Sequence, residues 1–337
     1  MELGDILLAV GRFLLSTTLL LVLTVPTAFI VIQIELKVIA LMQLRYGPNR
    51  VGPRGMFQST IHGFKVLAKE DTTPDQADRP TFTMAPWMVF MAAAMSLLVI
   101  PFAPGLVAID SSISVVYFFA VLGLSVVGLL VAGWASYNKY SLLGGLRSAA
   151  QMVSYEIPLT LSIVGIVVLT GSLSFTEIVE WQRVNGWGFF WQFWAFPIFF
   201  IAATAEINRT PFDMVEADSE IVAGFATEYS GMRFGFFFFA EYVALFIMSG
   251  ILVTLFFGGW LAPWPFPAQL SGFLGSLYGL FWFMLKTYIF VLISIWARAT
   301  LPRIRVDQLM GMAWKALLPI ALVNLLVTAA VVVIFNL

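Results

Sequence analysis

Long apolar runs recur at eight places along the chain and dominate its pattern. A helix needs about 20 predominantly apolar residues to cross the hydrocarbon core of a bilayer. The pattern therefore predicts an all-α integral membrane protein, one membrane domain over residues 1–337, with about eight transmembrane helices. The predicted spans are approximately 6–33, 84–107, 113–137, 157–176, 187–205, 236–258, 272–297 and 316–335.

The basic residues indicate an orientation for these helices. Fifteen of the 18 Lys and Arg residues lie in the loops that follow the first, third, fifth and seventh predicted helices. Cytoplasmic loops carry an excess of Lys and Arg. These four loops are therefore predicted to be cytoplasmic, with both termini on the outer side of the membrane.

The first of these loops, residues 34–82, is long and contains a helical pattern. Within the stretch Met56–Lys69, the apolar residues Phe57, Ile61, Phe64 and Leu67 recur at helical spacing. This predicts an amphipathic helix that lies on the membrane surface or against a partner. Periodicity alone is equally compatible with an ordinary interfacial helix.

Composition excludes several classes of function. Only 11% of the residues are charged, against about 25% in soluble domains, and the net charge of −1 favours no nucleic acid or acidic ligand. The chain has no cysteine, and His62 is its only histidine. Thiolate-bound iron–sulfur clusters, bis-histidine haem and His/Cys zinc sites are therefore ruled out. If the protein takes part in electron transfer, the electrons must come from a partner.

Several charged residues fall where lipid makes them costly. A charge in the hydrocarbon costs about 2.5–3.5 kcal/mol and usually marks a functional site. Glu35 and Glu156 are predicted at helix edges and Glu206 at the end of the fifth helix, while Glu241 and Lys286 lie inside the sixth and seventh. Glu241 and Lys286 suggest a polar path between helices, and the alternative is that they pair with each other in a structural role.

Acids also concentrate between the fifth and sixth helices. Six carboxylates fall within 23 residues, with Arg209 as the one cation among them. Crowding of like charges raises carboxyl pKa values, which suits groups that exchange protons near neutral pH. A solvated acidic loop is the alternative interpretation. The six are Glu206, Asp213, Glu216, Asp218, Glu220 and Glu228.

Five sequence blocks, in order along the chain, carry a resemblance to a known family. They are Gln43–Asn49 with Gly52-Pro53; Gly133–Ser136 with Asn138–Tyr140; Ala150–Glu156; Ala205–Asp213 with Glu228–Ser230; and Leu301–Arg303 with Arg305, Asp307 and Gln308. The chain resembles the H subunits of bacterial proton-pumping NADH:quinone oxidoreductase (respiratory complex I), whose mitochondrial counterpart is NADH dehydrogenase subunit 1. The resemblance covers nearly the whole chain, from Glu35 to Asn324.

The resemblance implies a position and a role. Such a subunit sits at the heel of the complex, where the membrane arm meets the hydrophilic arm, and helps to wall the tunnel in which quinone is reduced. It binds no cofactor itself; iron–sulfur clusters and FMN belong to partner subunits, and small membrane subunits and antiporter-like pumps adjoin it. The resemblance assigns Glu35, Arg45, Gln58, Asp213 and Arg303 to the tunnel. It assigns Glu156, Glu206, Glu216, Asp218, Glu220, Glu228 and Glu241 to a proton relay, to which we add Lys286 from its place inside a helix.

Several positions depart from the family pattern. Leu36 stands where the family usually has Arg, and His62 where it usually has an acid. Asp218 replaces a usual Glu, and Tyr137 a usual Asn. These departures concern the details of the quinone tunnel and not the family resemblance. A related complex with a ferredoxin or F420H2 donor remains the alternative function, and a stand-alone secondary transporter is disfavoured by the absence of an internal repeat.

Overall fold

The computed structural model describes residues 3–214, 222–263 and 272–335. Within these ranges the chain is built from helices, and a single isolated bridge between Ala103 and Leu106 is the only β-type pairing. The predicted all-α class is confirmed. The helices are α1 (Leu3–Met42), α2 (Gln58–Leu67), α3 (Arg79–Ser96), α4 (Ser114–Ala135), α5 (Lys139–Thr170), α6 (Phe175–Asn185), α7 (Gly188–Trp191), α8 (Ala195–Glu206), α9 (Gly231–Phe256), α10 (Phe273–Thr300), α11 (Val306–Met312) and α12 (Leu318–Phe335).

Seven helical segments of the described ranges are long and apolar enough to cross a membrane. They are α1, α3, α4, α5, α9, α10 and the stretch Val306–Phe335, which joins α11 and α12 through a π-helical turn at Ala313–Leu317. Two of them extend far beyond the predicted spans. Helix α1 continues to Met42 and α5 begins at Lys139, so Glu35 and Glu156 lie inside helices and the prediction that they sit at helix edges is wrong.

Local signals set the ends of α5. The Asn138 side chain accepts a hydrogen bond from the Tyr140 backbone N–H at 2.9 Å, which caps the first turn. Gly171 ends the helix in the left-handed conformation at φ 69°. The first half of this helix, residues 139–156, was not predicted as part of a span. It contains polar residues, and a hydropathy pattern detects only long apolar runs.

The fifth predicted span, 187–205, is not one helix. It is broken between α7 and α8, and only Ala195–Glu206 forms an apolar helix there. Backbone groups at a break inside a membrane protein must find partners within the protein. At this break the buried Gln192 side chain donates to Thr328 Oγ1 at 2.7 Å and accepts from Asn324 Nδ2 at 2.8 Å, so α12 holds it in place.

Helix α9 occupies the centre of the bundle. From Leu245 to Phe256 every residue of α9 is buried. Close backbone contacts fix the helices around it: a Cβ on Gly144 of α5 would lie 2.5 Å from the Cα of Gly224, which precedes α9. The chain between Ala223 and α9 is therefore pressed directly against α5.

One end of the bundle, which we call the basic end, gathers the loops that follow α1, α4, α8 and α10. The Asp78 N–H donates to the carbonyl of Ala135, and the Ile304 N–H to that of Pro211. The loop after α1 folds back on its own helix, because Lys37 donates to the carbonyls of Pro48 and Arg54 at 2.5 and 2.7 Å. The predicted amphipathic helix is present there as α2.

Candidate functional site

Four charged side chains from four segments meet inside the protein near the basic end. We call Glu35 of α1, Arg209 of the loop after α8, Glu241 of α9 and Arg298 of α10 the buried charge cluster. Arg209 lies 2.7 Å from Glu35 Oε2 through Nη1 and 2.9 Å from Glu241 Oε1 through Nε. Arg298 Nη1 lies 2.7 Å from Glu35 Oε1 and 3.9 Å from Glu241 Oε1. Two carboxylates therefore alternate with two guanidinium groups.

Arg209 is the hub of this cluster. Its side chain is only 2% exposed, and its guanidinium lies over the ring of Tyr242 at 4.5 Å from the ring centroid. Burial alone lowers the pKa of Arg209, but the carboxylates of Glu241 and Glu35 raise the pKa further than burial lowers it. The guanidinium therefore stays charged at every physiological pH.

The loop that carries Arg209 is fixed by buried polar contacts. Gln151 of α5 donates through Nε2 to the carbonyls of Ala205 and Phe212, at 2.7 and 2.9 Å. Asn208 donates to Ser148 Oγ at 3.1 Å. These contacts span the turn on both sides of Arg209, so the guanidinium is placed by the backbone as well as by its ion pairs.

A second ion pair joins the same loop to the segment after α10. Arg303 Nη2 lies 3.2 Å from Asp213 Oδ2. The Asp213 side chain is 6% exposed, and that of Arg303 is 48% exposed. The two residues predicted to lie together at the tunnel are therefore in contact, with the arginine facing outward at the basic end.

A cavity joins the charge cluster to Glu206. Glu241 and Glu206 both line it, and it offers about 100 Å³ of space. The rest of its wall consists of Ser96, Ser125, Asn208 and apolar side chains of α3, α4, α9 and neighbouring segments. A water needs about 10–15 Å³ of such volume, so the cavity has room for several waters, whose polar partners there would be the two carboxyl groups and the few polar side chains of the wall.

Glu206 has an unusual environment. It is 2% exposed, and neither of its carboxylate oxygens has a hydrogen-bonding partner in the part of the chain that the structure describes. Glu156 of α5, half-buried, is close enough to interact with it electrostatically. A charged, unpartnered carboxylate is very costly in such a place, so Glu206 is suited to hold a proton and to release it only to a nearby acceptor.

Other predicted site residues lie apart from this cavity. Glu228 accepts from Asn138 Nδ2 at 2.5 Å in a surface depression at the basic end. Arg45 is exposed and donates to Gln43, and Gln58 forms the first residue of α2. Three predicted relay acids lie outside the described residues: Glu216, Asp218 and Glu220.

Lys286 does not take part in the site. Its Nζ donates to the carbonyls of Phe257 and Leu261, both at 2.7 Å, just beyond the end of α9. Glu241 lies 16 residues before Phe257, which is about 24 Å along a helix. The alternative that Lys286 and Glu241 pair with each other is wrong. These two hydrogen bonds tie α10 to the loop that follows α9.

Sequence reasoning missed two members of the site. The sequence pattern singled out neither Arg298 nor Tyr242. The signal for Arg298 was available, because two acids in neighbouring spans, Glu35 and Glu241, need more than the single cation Arg209. Within the described ranges there is no group of three or more His, Cys, Asp or Glu side chains that could hold a metal ion.

These features define a class: a multi-pass membrane protein with a buried, charge-balanced cluster beside a largely apolar cavity that holds two glutamates. Comparison with known proteins identifies the family. Residues 15–329 match the model of the family described as NADH dehydrogenase, and the chain belongs to that family. It is 50% identical over 320 residues to the H subunit of the NADH-quinone oxidoreductase of Brevibacillus brevis, covering 95% of this chain and 93% of that protein.

Two further relatives bear the same name. The H subunit of the Geobacillus kaustophilus enzyme is 50% identical over 314 residues, 92% of each chain. That of Dehalococcoides mccartyi is 47% identical over 310 residues, 90% of this chain and 82% of that protein. The resemblance noted from the five sequence blocks is therefore confirmed.

Proposed function

We propose that this chain forms one wall of a quinone tunnel and passes the charge change of quinone reduction to a proton relay. As a member of its family it is a membrane subunit of the proton-translocating NADH:quinone oxidoreductase. In this proposal it sits at the heel of the complex in the bacterial inner membrane, with the basic end cytoplasmic and the termini periplasmic. The single observation that carries the proposal is that Glu241 belongs both to the buried charge cluster and to the cavity that holds Glu206.

The buried charge cluster is suited to sense charge. Glu35 and Arg209 are almost fully buried, and charges interact strongly where water is excluded. A negative charge that develops on a quinone near the basic end alters the balance between the two carboxylates and the two guanidinium groups. Because Arg209 holds its proton, the response falls on Glu241 or Glu35.

The proposed proton path leads away from the buried charge cluster. A proton taken up or lost by Glu241 crosses the cavity to Glu206 and continues to Glu156 on α5. Glu228 at the basic end, together with Glu216, Asp218 and Glu220, supplies protons from the loop side. Arg45, Gln58 and the Asp213–Arg303 pair belong to the tunnel wall that faces the hydrophilic arm. Lys286, predicted as a relay residue, is proposed instead to hold the loop after α9.

Electrons reach the quinone from partner subunits. The sequence has no cysteine and one histidine, so no thiolate-bound cluster lies on this chain. The family resemblance implies that iron–sulfur clusters and FMN belong to the hydrophilic arm and that protons exit through the small and antiporter-like membrane subunits. No nucleic acid partner is proposed. Quinone is the substrate.

The test is a pair of isosteric substitutions, Glu206→Gln and Glu241→Gln, made in the assembled complex. Each keeps the size of the side chain but removes its ability to carry a proton. We expect quinone reduction coupled to proton pumping to fall by about 100-fold, the lower end of the range for a positioned proton-transfer group. NADH oxidation with a soluble acceptor that bypasses quinone should not change.

Glu180→Gln is the matched control, because Glu180 lies on the surface of α6 in an exposed pair with Arg183. It should leave both activities intact. Full pumping in both Glu206→Gln and Glu241→Gln would refute the relay.

A second candidate function is the same subunit in a complex with a ferredoxin or F420H2 donor. Its membrane site would be identical, since the donor module binds elsewhere. Mass spectrometry of the subunits that co-purify with a tagged chain decides between the two: a nucleotide- and flavin-binding module supports the NADH-linked complex, and its absence supports the other.

A further inference from the structure

Helix α2 has three distinct faces. One packs against the protein: Ser59 and Gly63 are buried, and a Cβ on Gly63 would lie 2.8 Å from the ring of Phe29 on α1. The second is apolar and exposed, with Phe57 at 57% and Phe64 at 63%. The predicted apolar stripe therefore points away from the chain rather than into it, which soluble proteins avoid.

The third face is basic. His62, Lys65 and Lys69 follow one another at helical spacing and are all exposed. They form one side of a groove of about 440 Å³, whose other side is the chain from Ala223 to Phe234. Among the residues that the structure describes, no acid lines this groove. The nearby Asp71 lies 3.0 Å from Arg233 and is paired with it.

Helix α2 packs across a membrane-spanning helix that also carries exposed apolar side chains. Gly63 crosses α1 at Phe29, and the adjacent Ile30 of α1 is 47% exposed. Phe234, on the first turn of α9, is 38% exposed and lines the groove itself. An amphipathic helix with aromatic residues on one face and lysines beside them lies in the membrane interface, where the lysines meet lipid headgroups.

We propose that the groove between α2 and residues 223–234 binds the headgroup of an anionic phospholipid. Lys65 and Lys69 contact the phosphate, His62 donates to it or to the glycerol oxygens, and the acyl chains run past Phe234 and along the apolar face of α2. The proposal rests on the groove's own charge and placement and is independent of the proposed proton relay. It makes α2 a membrane-facing helix and its exposed stripe a lipid contact.

The depression beside Asn138 provides a matched comparison. It has a similar size, about 500 Å³, and also contains a lysine, Lys139. Asp75 and Glu228 line the same depression. The charges there are mixed, so an anionic headgroup gains little, and Lys139→Gln is the control for Lys65→Gln and Lys69→Gln.

The experiment uses the intact complex in phosphatidylcholine vesicles that contain a trace of photoactivatable phosphatidylglycerol, with the crosslinker in an acyl chain. Peptide mass spectrometry should locate the crosslinks on α2, at Phe57 or Phe64, and near Phe234. One lysine at an anionic surface contributes about a fivefold change in binding. The labelling yield should therefore fall about fivefold for each of Lys65→Gln and Lys69→Gln, and further for His62→Asp, while Lys139→Gln leaves it unchanged.

The same probe built on phosphatidylcholine provides the test of headgroup charge. We expect it to label α2 several-fold less, and to be insensitive to the lysine variants. Equal labelling by the two lipids, with no effect of the lysines, would overturn the proposal.

A photoreactive benzoylphenylalanine placed at Phe64 tests the occupant directly. Crosslinks to lipid support the proposal. Crosslinks to another protein subunit would overturn it and identify the apolar face as a protein interface. Assembly of each variant is verified by co-purification of the other subunits with this chain, tagged, and by its band in native gels, so a loss of labelling cannot result from a loss of the complex.

Discussion

Removing the Arg209 guanidinium should destabilise the protein far more than removing an exposed arginine. Arg209 contacts two carboxylates on two different helices, and its side chain is 2% exposed. Breaking a buried ion pair by removing one partner costs about 3–5 kcal/mol, because the other charge is left without compensation. In Arg209→Met, Arg298 alone must neutralise Glu35 at 2.7 Å and Glu241 at 3.9 Å.

Arg183→Met is the control. Arg183 lies 3.0 Å from Glu180, with both side chains about half exposed, at 48% and 46%, and such pairs contribute about 0–1 kcal/mol. The assay is the temperature at which the detergent-solubilised complex loses this chain, followed by fluorescence of a tag in native gels. We expect a large decrease for Arg209→Met and almost none for Arg183→Met.

A double substitution tests the physical reason. Glu35→Gln removes one of the charges that Arg209 neutralises, so Arg209→Met combined with Glu35→Gln should be less destabilised than the sum of the two single variants. Residues in direct contact show interaction energies of about 0.5–3 kcal/mol, whereas independent sites add. Additive effects, or equal effects of Arg209→Met and Arg183→Met, would refute the reasoning.

Three further predictions concern the scaffold. Lys286→Met should lower thermal stability but leave pumping per assembled complex unchanged, and a pumping loss with normal assembly would restore Lys286 to the relay. Gly144→Ala should lower the stability of the protein by about 1–3 kcal/mol, since the new Cβ would lie 2.5 Å from the Gly224 backbone. Gly123→Ala is the control, because a Cβ there would have nothing within 4 Å. It should be neutral when both variants are compared by the melting assay. Gln192→Leu should weaken the α12 attachment by about 0.6–1.7 kcal/mol, the range for hydrogen bonds between membrane helices; unchanged protease sensitivity of α12 would count against this.

The pattern of the sequence was sufficient for much of the architecture. Apolar runs predicted the membrane class, and the stretch from Met56 to Lys69 predicted α2, because a 20-residue apolar run or a helical stripe is a local property of the chain. Glu206 was correctly predicted as the end of its helix. The break near Gln192 was not predicted, since the side chains that bind the Gln192 side chain there, Asn324 and Thr328, lie more than 130 residues away.

The same distinction applies to the site. The sequence by itself determined that Glu241 falls inside an apolar run and that this chain holds no thiolate-bound metal centre, because local composition alone decides both. Only the tertiary structure decided the partners: Glu241 pairs with Arg209 rather than with Lys286, and Arg298 reaches Glu35 across 263 residues of chain. An unpaired charge is costly in a low-dielectric interior, so buried acidic and basic side chains form ion pairs. Which acidic and basic residues pair depends on how the helices pack, and a local sequence pattern does not contain that information.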